Sequence, residues 1–164
     1  MYIYRARFGR APARCLVLDR PYLVMGIDPG VSGAIICLHR ETGEVDGEVR
    51  LCETLHDIAE FVRVRALSIE MAYLERVHSM PRQGVASTFK FGASYGFCKG
   101  VLASLLVPFE EVTPSKWQTV MKCKTGGDKR VTRGAAQRLF PHERVVHANA
   151  DAMLIAEYGR RLLG

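Results

Sequence analysis

The chain of 164 residues is 48% apolar and carries a formal net charge of +6. This length and composition exclude a disordered chain and predict one domain with a sizeable core. The lack of an apolar run long enough to cross a bilayer predicts a soluble protein. The positive charge favours a polyanionic partner, first of all nucleic acid, with a merely basic enzyme as the alternative.

The first twenty residues differ in character from the rest. Residues 1–20 contain five arginines among aromatic and small residues, without the apolar core of a signal peptide. We predict a basic N-terminal extension, either an arm that touches phosphate or an extra edge strand, ahead of one domain at residues 21–164. The five cysteines show no Cys-x-x-Cys pattern. They predict reduced thiols in a cytoplasmic chain, with neither disulfides nor a zinc site.

Three short β-prone runs open the domain. They are predicted as strands at residues 22–28, 32–38 and 45–52. Their short connections predict an antiparallel meander. Asp28 ends the first strand, and Gly30 and Gly33 permit a positive φ or a close backbone approach in the turn that follows it.

The remainder of the chain alternates helices with strands. Thr54 is expected to cap a helix, and the strand predicted at 72–77 should lie parallel to the first strand because it is reached through that crossover. Further elements are predicted as a helix at 85–106, a strand at 108–112 and helices at 115–121, 128–139 and 149–163. The chain is thus an α/β protein with a mixed sheet.

The long helix at 85–106 carries a stripe of glycines. Gly92, Gly96 and Gly100 are four residues apart, so they share one face, and each costs about 1 kcal/mol relative to alanine. Such a cost indicates close packing against the stripe, most simply by the sheet, or else by a second subunit or a DNA backbone. The aromatic residues of the same helix, Phe89 among them, are expected in the core.

Three acidic residues stand in apolar surroundings at the ends of predicted elements. Asp28 ends the first strand, Glu75 lies near the end of the parallel strand, and Asp151 opens the last helix. Each has a plainer interpretation, as a turn residue, a strand residue or a helix N-terminal charge. Glu70 competes with Glu75, but five residues along a strand it would face the opposite side.

The predicted topology allows these three carboxylates to meet. Grouped carboxylates repel one another and are stable only around cations, and their hard oxygen atoms suit Mg²⁺ or Mn²⁺. Two such ions about 4 Å apart can clamp the attacking and leaving oxygens of a phosphodiester. His147, four residues before Asp151, can ligate a metal or handle a water proton, or it is only a surface or capping residue.

Several segments resemble, in order, the motifs of one known family. Residues 25–34, Met-Gly-Ile-Asp-Pro-Gly-Val-Ser-Gly-Ala, are similar to the first motif of the RuvC-type Holliday-junction resolvases. The second motif, in its phage-type form, resembles residues 74–81 and 84–92. The remaining motifs resemble residues 112–118, 128–129 and 147–159, so that the similarity covers about residues 22–160.

The resemblance implies a ribonuclease-H-like fold, in which an antiparallel three-stranded meander continues into parallel strands and helices flank the sheet. It also implies a homodimer that cuts branched DNA, especially four-way junctions, with two Mg²⁺ ions per active site and Mn²⁺ as a substitute. No membrane and no nucleotide cofactor are expected. The expected location is the cytoplasm, or the host cytoplasm if the protein is phage-encoded.

By motif position, the resemblance assigns catalytic roles to five residues. Asp28, Glu75 and Asp151 match the acidic metal ligands, His147 matches a position occupied by Asp or His, and Lys129 matches a lysine near the scissile phosphate. In cellular members the residue matched by His147 usually lies three positions before the final Asp, whereas here the spacing is four.

Basic side chains around these motifs are the expected DNA contacts. The candidates are His78, Arg82, Lys90, Lys116, Lys122, Lys124, Arg130 and Arg133. His78 stands where cellular members carry an aromatic residue that wedges the junction, which leaves strand opening and sequence preference open.

Three alternatives to a junction resolvase follow from the same features. A nuclease of this fold can act on flaps, forks or DNA in general, and a relic can bind DNA without cutting it. An actin-like ATPase also opens with an Asp-x-Gly hairpin, but it needs two such domains, for which 164 residues are too few.

Overall fold

A computed structural model describes residues 22–76, 84–126 and 128–164. The strands are β1 (Leu23–Ile27), β2 (Ala34–His39), β3 (Val45–Arg50), β4 (Ile69–Glu75) and β5 (Phe109–Val112). The helices are α1 (Leu55–Arg65), α2 (Val85–Ser104), α3 (Pro114–Val120), α4 (Lys129–Leu139) and α5 (Ala150–Leu163). The predicted basic extension and the candidates His78 and Arg82 lie outside the described residues.

The five strands form one mixed sheet in the order β3-β2-β1-β4-β5. β2 pairs antiparallel with both β1 and β3, while β4 pairs parallel with both β1 and β5. The predicted fold class is therefore confirmed, because the meander, the parallel crossover strand and the flanking helices are all present. Among the described residues, no helix has the length and apolar character needed to cross a membrane.

Helices cover both faces of the sheet, and β1 is buried from both sides. Leu23, Met25 and Ile27 point into a core shared with α1 and α2. Val24 points into the opposite core, which α3, α4 and α5 complete. The alternation of side chains along a strand explains this division, and it explains why β1 is apolar at every position.

Gly26 lets α5 lie directly against the sheet. A Cβ atom at this position would come within 2.3 Å of both Ala152 O and Ala156 N. Backbone therefore meets backbone at this crossing, which a side chain would prevent. The contact determines the position of α5, and with it that of Asp151 in the helix's first turn.

Helix starts agree with the sequence prediction. Thr54, Thr113 and Asp128 accept hydrogen bonds from backbone N–H groups at the starts of α1, α3 and α4.

The predicted start of β4 at residue 72 was too late, because the strand begins at Ile69. Glu70 lies on this added part and pairs with Arg40 at 3.0 Å.

Two predictions about buried faces were wrong. Burial along α5 ends at Gly159, so Leu162, expected on the buried side, is 51% exposed. The buried residues of α2, Cys98 and Leu102, lie in its second half. The first half does not enter the core, and Phe89 is 76% exposed, whereas Tyr95 and Phe97 in the second half are partly buried against the core as predicted.

The glycine stripe of α2 does not pack against the sheet, which corrects the favoured interpretation. A Cβ atom added at Gly92, Gly96 or Gly100 would meet no atom of the described residues within 4 Å. The side of α2 that faces the core carries Cys98 and Leu102 instead. A second subunit and a DNA backbone are the interpretations that remain.

Candidate active site

The carboxylates of Asp28 and Glu75 leave the same edge of the sheet. β1 and β4 are parallel neighbours with Ile27 opposite Leu74, so the next residue of each chain segment follows side by side. Asp151 reaches this edge from the start of α5. The three groups are mutually coupled, since Asp28 interacts electrostatically with Asp151, and Glu75 interacts with both.

Burial and mutual repulsion oppose the ionisation of this cluster. Burial raises the pKa of Glu75 to about 7, and the negative charge of Asp28 adds to the increase. Burial also raises the pKa of Asp28, although the N–H of Gly30 partly offsets it by donating a hydrogen bond to the carboxylate. A cation at this site would relieve both effects.

The turn after β1 holds Asp28 through close backbone contacts. Gly30 N donates to Asp28 Oδ1 at 3.1 Å. A Cβ atom at Gly33 would lie 2.1 Å from Asp28 O, so the close-approach role predicted for the turn glycines applies here. Neither glycine has a positive φ. Arg50 at the end of β3 donates to Ser32 O at 3.0 Å and to Gly33 O at 3.3 Å, which fixes the far side of the turn.

Asn149 fixes the chain just before Asp151. This buried side chain accepts a hydrogen bond from Val146 N at 2.8 Å and donates to Glu48 Oε2 at 2.8 Å and to Arg144 O at 3.0 Å. These three bonds tie the start of α5 to β3 and to the preceding loop. Sequence analysis missed Asn149, because its partners are distant along the chain.

The donor set fits a hard divalent cation. Asp151 Oδ1 is buried and has no hydrogen-bond partner among the described residues. Burying such an oxygen without a partner is costly, and a cation ligated by carboxylates would supply one. In the described part of the chain, no group of three or more His, Cys, Asp or Glu side chains is already arranged to hold a metal ion.

Lys129 and His147 have different surroundings. Lys129 is exposed at the start of α4, and the positive charge of its ammonium group partly offsets the rise in the pKa of both Asp28 and Glu75. His147 is exposed and lines a depression of about 660 Å³ with Glu48, Arg50 and other residues. Among the described residues, it interacts electrostatically with Asp128. The structure thus brings Lys129 to the carboxylates but shows no contact between them and His147 in the part it describes.

Comparison with solved structures shows a shared fold. The T. thermophilus RuvC described as a complex with Holliday junction substrate matches with a TM-score of 0.57 at 18% identity, over 86% of this chain and 96% of that chain. A second Thermus thermophilus RuvC structure matches with a TM-score of 0.55, also at 18% identity, over 85% and 96%.

This chain has the RuvC fold. No family model matches the sequence, and no curated protein matches it either.

The described basic candidates are all exposed. They are Lys90, Lys116, Lys122, Lys124, Arg130 and Arg133. Arg130 is already paired with Asp128 at 2.9 Å, in a surface ion pair. Lys90 lines an apolar cleft of about 320 Å³ together with Phe89 and Phe97.

Trp117 is a further site residue to which sequence analysis assigned no role. It is fully buried, and its indole Nε1 donates a hydrogen bond to Glu75 Oε1 at 2.9 Å. The signal that was available is its position in an amphipathic segment directly after a Thr-Pro helix start. The acceptor, 42 residues earlier, could not be read from that pattern.

Proposed function

We propose that this chain is a divalent-metal-dependent, structure-selective endonuclease that hydrolyses phosphodiester bonds in four-way junctions and other branched DNA. The observation that carries the proposal is the meeting of Asp28, Glu75 and Asp151 beside Lys129. The RuvC fold supports it, since one solved structure of that fold is described as a RuvC complex with Holliday junction substrate.

In this proposal the three carboxylates would hold two Mg²⁺ or Mn²⁺ ions. When bound, such ions supply charge stabilisation at the attacking and leaving oxygens of the phosphodiester. The Lys129 ammonium group would bind the scissile phosphate and stabilise its developing charge. His147, at the approach to α5, is the candidate for taking up the water proton or for adding a ligand.

The exposed basic residues would bind the DNA backbone. Lys116 on α3, Lys122 and Lys124 in the loop after it, and Arg133 on α4 lie on the stretch of chain that also carries Lys129. The other candidates are Lys90 and Arg130, together with His78 and Arg82, which lie outside the described residues. Such contacts orient a duplex without selecting its sequence.

A homodimer is the expected assembly, because two active sites are needed to cut a junction symmetrically. The exposed glycine stripe of α2 supports this, since none of the residues that the structure describes packs against it. Sedimentation at micromolar concentration should show a species of twice the chain mass of 18.3 kDa. Full junction cleavage by a protein that sediments only as a monomer would contradict the dimer.

The decisive experiment compares substrates. A synthetic four-way junction and matched duplex, flap and fork DNA are incubated with the protein, with and without Mg²⁺. We expect Mg²⁺-dependent cleavage of the junction and little of the duplex. Preferred cleavage of flaps or forks would instead identify a general branched-DNA nuclease. DNA binding without cleavage in either Mg²⁺ or Mn²⁺ would identify a binding relic.

A further inference from the structure

The hydrogen bond between Trp117 and Glu75 links the core that α3 forms with α4 and α5 to the candidate metal centre. Trp117 is the single tryptophan of the chain and has an exposed fraction of 0%. Its Nε1 lies 2.9 Å from Glu75 Oε1. Among the described residues, it is the one hydrogen-bond partner of that carboxylate.

The surroundings of Trp117 make it a rigid donor. It is the buried residue of α3, a helix that Thr113 caps and Pro114 opens. Its ring belongs to the core formed with α4 and α5. A large aromatic ring that is packed on all sides cannot follow the carboxylate if the latter rotates. The indole therefore imposes an orientation on Glu75, rather than adapting to one.

The two carboxylate oxygens of Glu75 differ in their surroundings. Oε1 is engaged by the indole, and the carboxylate as a whole interacts electrostatically with Asp28 and Asp151. The two neighbouring negative charges would push an untethered carboxylate away from the cluster. A fixed donor on Oε1 opposes that movement and leaves Oε2 to act as a ligand.

We propose that Trp117 is a positioning residue that holds Glu75 in the orientation required to ligate a divalent cation together with Asp28 and Asp151. The inference rests on the proposed function and adds to it the way in which α3 takes part. Hydrogen-bond partners of metal ligands generally act in this manner, and their loss costs 10- to 100-fold in metal affinity or activity.

The single tryptophan allows a direct measurement on the unmodified protein. A ¹⁵N–¹H spectrum should contain one indole N–H resonance, and titration with Mg²⁺ should shift it and change the tryptophan fluorescence. Glu75→Gln should abolish this response, whereas Glu53→Gln, at an exposed position, should retain it. The proposal would be overturned if the indole resonance did not shift on addition of Mg²⁺ while calorimetry showed that the ion binds.

The second measurement uses Trp117→Phe, which removes the N–H but keeps an aromatic ring. Its matched control is Phe140→Leu, in the same core. Phe140 lies beside His39, which pairs with the opposite end of β1 from Asp28. We expect Mg²⁺ affinity by calorimetry to fall about 10-fold or more in Trp117→Phe and to stay within about 2-fold in Phe140→Leu.

The outcomes separate this inference from the proposed function. If Trp117→Phe binds Mg²⁺ and cuts junctions like the wild type, the positioning role is wrong and the nuclease proposal stands. Equal losses of affinity in both variants would indicate general destabilisation and would also overturn the positioning role. If the wild-type protein binds no divalent cation, the metal centre itself is wrong, and this inference falls with it. Should Trp117→Phe not fold, the indole titration of the wild type decides.

Discussion

Glu75 is an acid whose ionisation the folded chain opposes. Its pKa rises from an ordinary 4.5 to about 7, because the group is buried and Asp28 is negatively charged nearby. The folded state therefore keeps a proton that the unfolded state releases between these two values. Below pH 4.5 both states hold the proton and Glu75 has no effect. Stability is therefore lost as the pH rises from 4.5 to 7, by about 3 kcal/mol in total, and the loss is complete above pH 7.

The resulting pH dependence can be measured in a metal-free buffer. The free energy of unfolding from urea titrations in EDTA should fall between pH 5 and pH 8. Glu75→Gln should remove this part of the decline, whereas Glu41→Gln, exposed in the turn after β2, should retain it. Mg²⁺ should restore stability at pH 8 and do little at pH 5. An identical decline in Glu75→Gln would show that Glu75 does not ionise as described.

Asp28→Asn separates catalysis from folding. Asparagine retains an oxygen that can accept the hydrogen bond from Gly30 N, so the turn should persist. Removing one charge from a repelling cluster should leave the melting temperature unchanged or slightly higher. Metal affinity should fall, and junction cleavage in Mg²⁺ should decrease at least about 100-fold, while junction binding persists. Cleavage near the wild-type rate would refute the metal-site proposal, and an unfolded variant would make Asp28 a structural turn residue.

At the level of secondary-structure elements, the contact between α5 and β1 controls the site. α5 carries Asp151, and its backbone rests on the bare Cα of Gly26. The hydrogen bonds of Asn149 hold the start of the same helix. The distance between Asp28 and Asp151 therefore depends on how closely a helix can approach a strand.

Gly26→Ala tests this dependence. The new methyl group would overlap the backbone of α5, so we expect a loss of about 1–3 kcal/mol in unfolding free energy and a lower cleavage rate. The control is Gly134→Ala in α4, where the nearest atom, Arg138 Nη1, would lie 3.6 Å from the added Cβ. That change should stabilise the protein by about 1 kcal/mol. A Gly26→Ala protein as stable as the wild type would mean that α5 is not seated as described.

At the level of the whole molecule, the basic residues behind the net charge of +6 differ in whether they form ion pairs. Lys99 is paired with Glu111 at 2.8 Å. Lys122 and Lys124 are exposed in the loop between α3 and α4, close in sequence to Lys129. The free positive charge near the candidate site therefore includes this loop.

Salt dependence of DNA binding measures this charge. If about six phosphates are contacted, a plot of log affinity against log salt concentration should have a slope of roughly −5. Replacing Lys122 and Lys124 together by alanine should flatten the slope by about two. Lys99→Ala should leave it unchanged. A slope unaffected by the double change would move the DNA-binding face elsewhere, with the arginines of residues 1–20 as the next candidates.

The sequence by itself determined most of the fold, because the relevant signals are local. The Pro-Gly turn after Asp28, the caps Thr54, Thr113 and Asp128, and the alternation of β-prone and helical runs predicted the elements. They also predicted the parallel pairing of β1 with β4. That pairing follows from the helical crossover α1, which returns the chain so that β4 runs in the same direction as β1. It places Asp28 beside Glu75, so this part of the candidate site could also be predicted.

Tertiary structure alone decided what covers each face and which partner each polar group finds. Periodicity shows that Gly92, Gly96 and Gly100 share a face of α2, but not that this face is open. Nor does it show that Trp117 donates to Glu75, that Asn149 ties α5 to β3, or that His147 interacts with Asp128. These contacts join residues far apart in the chain. Their geometry depends on how whole elements pack, which no local pattern encodes.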